Sequence, residues 1–385
     1  MVVTASLTLR RDQWPLGLLL LLASAWGALP FVIITVAARG QLPRARPRSP
    51  GTVTTIIHVG YEPADVASTS VMAAAAGGPT VVVSTDADAV ARLGPLDVPV
   101  VVASTVAEGL VAAAQLAETD AILLLPAGCF VDAGAAAQAA GLLHGDVGWV
   151  IGASSPFNRD GYAPTRGERL DQRIRESARA RGADLWEPNA TLVSTTLLRG
   201  ATVEPGRPWG SWLRAWRDQG YRGATVRSTL TVWSVPVTPE WYWRRSVLRR
   251  RGLVADLADA AVTRRHADRW LSVAMLVREL YALSFGVWLV SPMLLSWAGS
   301  FPFRWSPRVL LAMVGGAGVL RWATLRWMYR IPVHPLRDLL TAAYDAPSSL
   351  LALPAVVARR LLRPGWTFRG APSPGSSPCW PWPWP

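Results

Sequence analysis

Ala121-Ile122-Leu123-Leu124-Leu125-Pro126-Ala127-Gly128 is an uncharged run that stops on a proline, an alanine and a glycine. A run of this length fits a strand covered on both faces better than a helix, which needs more residues to bury a stripe. It belongs to a series. Upstream stand TVTTIIHVG at 52–60, GPTVVVST at 78–85 and VPVVVAST at 98–105, and downstream VGWVIGASS at 147–155. The Ala-rich stretch ending at Gly77 and the segment 106–116 read as helices between them. Short apolar strands alternating with helices predict an α/β domain with a mainly parallel sheet and helices on both faces. Ligands of such sheets bind outside the carboxyl ends of the strands. The candidate positions are therefore Gly60-Tyr61-Glu62, Ser84 to Asp88, and Pro126-Ala127-Gly128. No G-x-G-x-x-G follows the first strand and no G-x-x-x-x-G-K-[ST] occurs, so neither a dinucleotide fold nor a P-loop is expected.

The chain around this core has 385 residues, 51% of them hydrophobic and only 17% charged, which excludes disorder for most of its length. Its two cysteines, Cys129 and Cys379, exclude a disulfide scaffold, and four scattered histidines give no zinc-site spacing. The net charge of +13 is carried by arginine alone, since the sequence contains no lysine. That usage, with abundant Ala, Gly, Pro and Val, is first a mark of a GC-rich bacterial genome. A basic balance raises either nucleic acid or a membrane surface as partner. The membrane is favoured and no nucleic acid is expected, because the apolar residues fall in blocks at 14–38, 280–303 and 309–329. Each block is long enough to cross a hydrocarbon core of about 30 Å. Trp14, Trp297, Trp305 and Trp327 stand near block ends, as an aromatic belt places them. The first block resembles either a cleaved signal, with Arg10 and Arg11 before it and Val36-Ala37-Ala38 at its end, or an anchor; its length favours the anchor. Arg39, Arg44, Arg46 and Arg48 after the first block, and Arg264, Arg265 and Arg269 before the second, put 40–270 on the cytoplasmic side of a bacterial inner membrane.

The layout expected is an N-terminal segment 1–13, a span 14–38, a basic linker 39–50 and a cytoplasmic α/β domain 51–253. An amphipathic interfacial helix 254–279, spans 280–303 and 309–329, an interfacial or re-entrant segment 333–369 and a Pro-rich disordered tail 370–385 complete it.

With an anchor, an α/β domain, a basic segment and closing spans, the chain resembles the membrane-bound family-2 glycosyltransferases of the cellulose synthase and hyaluronan synthase type. IIHVGYEP looks like their first strand and P-x-Y-N-E turn, VVVSTDADAV like the D-D-G-S-x-D strand, and EGLVAAAQLAETDAILLLPAG like the G-K-x-x-A-L-N and D-A-D segment. LWEPNATLVSTTLLRG, WGSWLRAWRDQGYRGATV and WYWRRSVLRRRG stand where the acceptor-side strand, the E-D-x-D-L helix and Q-x-x-R-W belong. PLRDLL and LRPGWTFRG look like the closing interfacial helix and the W-x-G-R end. The resemblance implies a GT-A-like fold, a nucleotide-sugar donor, Mg2+ or Mn2+ if the protein is active, and a glycan or lipid-linked acceptor at the cytoplasmic face.

The sequence departs from the family pattern at its charged positions. The D-A-D register holds Pro126, Ala127 and Gly128, the E-D register Pro208 and Trp209, and the G-K lysine is Leu110. The D-D register gives Ser84 and Thr85, with Asp86 and Asp88 displaced. Q-x-x-R-W is reduced to Arg249, Arg250 and Arg251. No catalytic residue and no metal ligand is assigned on this basis. Tyr61, Glu62, Asp86 and Asp88 are the candidate nucleotide-sugar contacts, and Arg245, Arg249 and Arg250 the candidate phosphate contacts. Each has a plainer role available: Glu62, Asp86 and Asp88 as helix-start acids, the arginines as binders of anionic headgroups. Trp209, Trp212, Trp216, Trp241 and Trp243 either stack on sugar or pack, and Cys129 reads as a buried thiol. Two functions follow: a membrane glycosyltransferase of envelope polysaccharide or glycolipid synthesis with impaired metal-dependent catalysis, or an inactive relative that binds or scaffolds, paired with another envelope-glycan enzyme.

Overall fold

The structure is a computed structural model that describes residues 49–60, 62–157, 188–203 and 210–233, with isolated positions at 172, 175, 176, 179, 253, 254, 257, 273, 276, 326 and 334. The chain separates into two units. One comprises Met1–Gln41, Asp160–Ala183 and Val237–Pro364, the other Leu42–Arg159, Asp184–Pro236 and Gly365–Pro385. The expected spans 14–38 and 280–303 and the tail 370–385 lie outside the described residues. So do 309–329 apart from Arg326, 333–369 apart from His334, and most of 39–50 and 254–279. Among the described residues no helix is long and apolar enough to cross a membrane.

The second unit is built on strand β1 (Val53–Val59), helix α1 (Ala64–Gly77), β2 (Thr80–Ser84), α2 (Ala87–Ala91), β3 (Val100–Val102) and α3 (Val106–Leu116). There follow β4 (Ala121–Pro126), β5 (Cys129–Val131), α4 (Ala133–Ala140) and β6 (Val147–Pro156). A 3-10 turn, Pro188–Ala190, leads into β7 (Thr191–Ser194), α5 (Thr195–Arg199), α6 (Gly210–Asp218) and β8 (Arg222–Trp233). The eight strands form one sheet in the order β3-β2-β1-β4-β7-β6-β8-β5. β1, β2, β3 and β4 run parallel, β7 lies antiparallel to both β4 and β6, β6 and β8 are parallel, and β5 is antiparallel to β8. The mixed, mostly parallel sheet matches the α/β class expected from the run at 121–128.

Register fixes the two faces. Ile56 sits beside Val81 and Leu124, and His58 beside Val83 and Pro126. Side chains alternate along a strand, so Ile56, Val81, Val83, Ile122 and Leu124 share one face. They pack there with Val106, Leu110, Ala113 and Ala114 of α3. Ile57, Val59, Val82, Leu123 and Leu125 lie on the opposite face and are 0–2% exposed. Each such aliphatic side chain contributes about 1.5–3 kcal/mol on burial. The α3–β2 contact is close enough to require glycine: a Cβ on Gly109 would stand 2.4 Å from Cγ1 of Val83.

Across the sheet the same core continues into the antiparallel half through Trp149, Ile151, Val193, Leu197 and Leu198. There Trp212 and Trp216 of α6 join it, with ring centroids 6.3 Å apart and Trp149 6.4 Å from Trp216. Arg199, at the end of α5, donates from Nε to the carbonyl of Ala114 at 2.9 Å and from Nη2 to that of Ala117. It thereby shares the Ala114 carbonyl with the Ala117 N–H, which donates to it at 3.3 Å, and gives the Ala117 carbonyl a side-chain donor.

Candidate functional site

The carboxyl ends of β1, β2 and β4 lie side by side, because these strands are parallel neighbours. β1 ends on His58, 9% exposed, and Val59. Burial alone, which disfavours the imidazolium, lowers the pKa of His58 to about 4, so the ring is neutral at pH 7. Its Nε2 is buried without a hydrogen-bond partner. In the turn beyond, the Gly60 N–H donates to Oε2 of Glu62 at 3.1 Å. Tyr61 lies outside the described residues.

β2 ends on Ser84, whose hydroxyl donates to the Val59 carbonyl at 2.8 Å and accepts from the Asp86 N–H at 3.1 Å. The clasp holds the β1 and β2 ends together. Thr85 follows, with its Oγ1 buried and unpartnered. Asp86 is the N-cap of α2, and its Oδ1 accepts from the Asp88 N–H at 2.9 Å. Asp88 occupies the first turn, where a carboxylate is favoured by the helix dipole. Asp86 thus fills the capping role that a turn acid ordinarily plays, and Asp86 and Asp88 share one helix start.

β4 ends in Pro126-Ala127-Gly128, and the turn is closed by its backbone. The Ala127 N–H donates to the His58 carbonyl at 2.9 Å, and the Gly128 N–H to Oγ of Ser70 on α1 at 3.2 Å. Gly128 has φ +83°, in the left-handed region that favours glycine, and a Cβ there would meet Cγ1 of Val66 at 3.2 Å. The conformation lets the chain leave β4 and enter β5, which pairs with β8 at the far edge of the sheet. Cys129 then begins β5 rather than lying beyond the strand, and it is buried as expected. Asp132 caps α4, accepting from the Ala135 N–H at 3.0 Å. Asp120 stands at the other end of β4, bonded to the Thr52 hydroxyl at 3.0 Å. Six residues of strand put it about 20 Å from the Pro126 turn.

The structure therefore brings Glu62, Asp86 and Asp88 to neighbouring strand ends. Arg245, Arg249 and Arg250 lie outside the described residues, as do Pro208, Trp209, Trp241 and Trp243. Trp212 and Trp216 are 7% and 4% exposed within the core, so these two pack. The Trp212 indole N–H donates to the Thr202 carbonyl at 3.0 Å. Asn189, in the Asn-Ala-Thr triplet, donates its amide to Ser154 Oγ at 2.9 Å, a structural bond between the 3-10 turn and β6. His58 and Thr85 carry the unsatisfied polar atoms of the site. The sequence signal for His58 is a lone imidazole inside the apolar run Ile56-Ile57-His58-Val59.

No protein-family profile and no curated protein matches the chain. Solved structures do. A mannosyltransferase from Pyrobaculum calidifontis, determined in complex with GDP-Man and Mn2+, superposes with a TM-score of 0.52 at 16% identity, over 84% of this chain and 99% of that one. The fold is that of a GT-A-like glycosyltransferase. Mannosyl-3-phosphoglycerate synthase from Rubrobacter xylanophilus matches at a TM-score of 0.33 and 14% identity, over 56% of this chain and 77% of that one.

The mannosyltransferase complex makes a divalent ion the natural group to test against these residues. A hard cation takes oxygen ligands, carboxylates foremost. The turn after β4 offers none from its side chains: Pro126, Ala127 and Gly128 carry no ligating side-chain atom. Among the described residues no group of three or more His, Cys, Asp or Glu side chains assembles around a common point. The residues of this turn do not fit a metal.

Proposed function

We propose that the protein is a membrane-anchored glycosyltransferase of GT-A-like fold. It binds a nucleotide-sugar across the carboxyl ends of β1, β2 and β4, at the cytoplasmic face of a bacterial inner membrane. The observation that carries this reading is the fold itself, aligned over 99% of a nucleotide-sugar enzyme. Glu62, Asp86 and Asp88 supply acceptors for ribose or base at the strand ends; Arg245, Arg249 and Arg250 have the guanidinium chemistry that suits phosphate. The apolar blocks at 14–38, 280–303 and 309–329 are the anchor and closing spans of this reading, and its acceptor is a glycan or lipid-linked sugar of the envelope.

A second reading has a specific observation in its favour: the turn Pro126-Ala127-Gly128 lacks the acids that metal-assisted transfer needs. In that reading the protein is an inactive relative that binds or scaffolds beside an active envelope-glycan enzyme. Titration of the detergent-purified full chain with GDP-mannose and UDP-glucose, followed by a transfer assay on bacterial membrane lipids, separates the two. Binding with sugar transfer is the expected result. Binding without transfer establishes the second reading, and absence of binding to any nucleotide-sugar overturns both.

A further inference from the structure

We infer that the strand-end site holds its nucleoside diphosphate sugar without a divalent cation. The inference rests on the nucleotide-sugar reading above and adds how the ligand's charge is met. A cation bridging the diphosphate has to be held by protein oxygens that are free to turn toward it. At the end of β4 there are none on side chains, and the backbone has closed over the place. The Ala127 and Gly128 N–H groups are spent on His58 and Ser70, so the turn gives a diphosphate no backbone donor either, and Val66 stands 3.2 Å from where a side chain at 128 would begin.

The acids on the neighbouring turns do not converge: among the described residues no group of three or more His, Cys, Asp or Glu side chains gathers around one point. Glu62 holds the Gly60 N–H, Asp86 the Asp88 N–H, and Asp132 the Ala135 N–H. The polar atoms left over at the strand ends, His58 Nε2 and Thr85 Oγ1, belong to uncharged side chains. A buried polar atom without a partner costs about 1–3 kcal/mol, a cost that a polar group of a bound ligand relieves. Balance for a diphosphate then falls to cationic side chains, and every lysine-or-arginine position of this +13 chain is arginine. Guanidinium pairs with phosphate oxygens through two parallel N–H donors and needs no bridging ion.

The test uses the intact, detergent-solubilised protein and isothermal titration with GDP-mannose and UDP-glucose. Each titration is run in excess EDTA, in millimolar Mn2+ and in millimolar Mg2+. The expected dissociation constants agree within about threefold across the three conditions, because no ligand-bridging ion contributes. Tightening of about tenfold or more by either ion overturns the inference and leaves the nucleotide-sugar reading standing. Absence of binding in all three conditions overturns that reading, and this inference with it.

Discussion

The two halves of the sheet are held by different means. In the parallel half, β3-β2-β1-β4, small aliphatic side chains fill both faces and α3 approaches so closely that position 109 must be glycine. In the half formed by β7, β6, β8 and β5, three tryptophans carry much of the packing, and the β6–β8 ladder shifts register at several points. The strand ends proposed to meet the nucleotide-sugar belong to the first half. Their hydrogen bonds go to neighbouring strands and helix starts: Ser84 to Val59, Ala127 to His58, Asp86 to its own helix. The contrast teaches that the strand ends and the scaffold below them depend on different residues, the ends on turn hydrogen bonds and the scaffold on packed side chains.

Trp149, 1% exposed, is the sharpest place to break the second half. Trp149→Ala is expected to cost about 4 kcal/mol in a urea unfolding experiment, as buried aromatic truncations do. Because one sheet joins both halves, it should lower a single transition. Two separate transitions, with only one of them shifted, would show that the halves unfold independently.

The next largest effect belongs to His58 in the first half. Its folded pKa of about 4 lies below the unfolded value, so between those values the unfolded chain binds a proton that the folded chain refuses. Its contribution is fully present above about pH 6.5 and is lost as pH falls toward 4, about 3 kcal/mol in all. His58→Leu should flatten that part of the stability–pH curve. A curve parallel to that of the wild type across pH 6.5 to 4 would mean that the imidazole is not held neutral by burial.

The smallest effect separates capping from recognition at Asp86. Asp86→Ala should cost about 1 kcal/mol through the lost N-cap of α2, and Asp86→Asn should restore it. If the carboxylate contacts the ligand as proposed, Asp86→Asn keeps the stability yet loosens GDP-mannose binding by about tenfold. Equal affinity in the Asn variant would leave Asp86 a cap and nothing more.

The first half was the legible one. Its strands at 52–60, 78–85, 98–105 and 121–128 stand out because covered parallel strands are continuous apolar runs, and the helix at 106–116 was bounded to the residue. β5 was hidden, because three residues after a glycine carry no periodicity, and β8 because its Thr- and Arg-bearing sequence alternates without an apolar run. Asp86 and Asp88 were found as turn acids. Which turn N–H each would hold depends on backbone angles that the sequence does not display. His58 escaped notice as a site residue because its behaviour comes from the strands on either side, Val83 and Pro126, and not from its own neighbours in the chain.

The guanidinium of Arg199 has a consequence for the order of synthesis. It closes α3 from 85 and 82 positions downstream of Ala114 and Ala117. While the chain is being made, α3 and the three strands before it emerge well ahead of the residue that finishes the helix. Until then the Ala114 carbonyl has only the local Ala117 N–H, and the Ala117 carbonyl lacks its guanidinium donor. The parallel half can therefore collapse early, but it reaches its full stability only when the antiparallel half arrives.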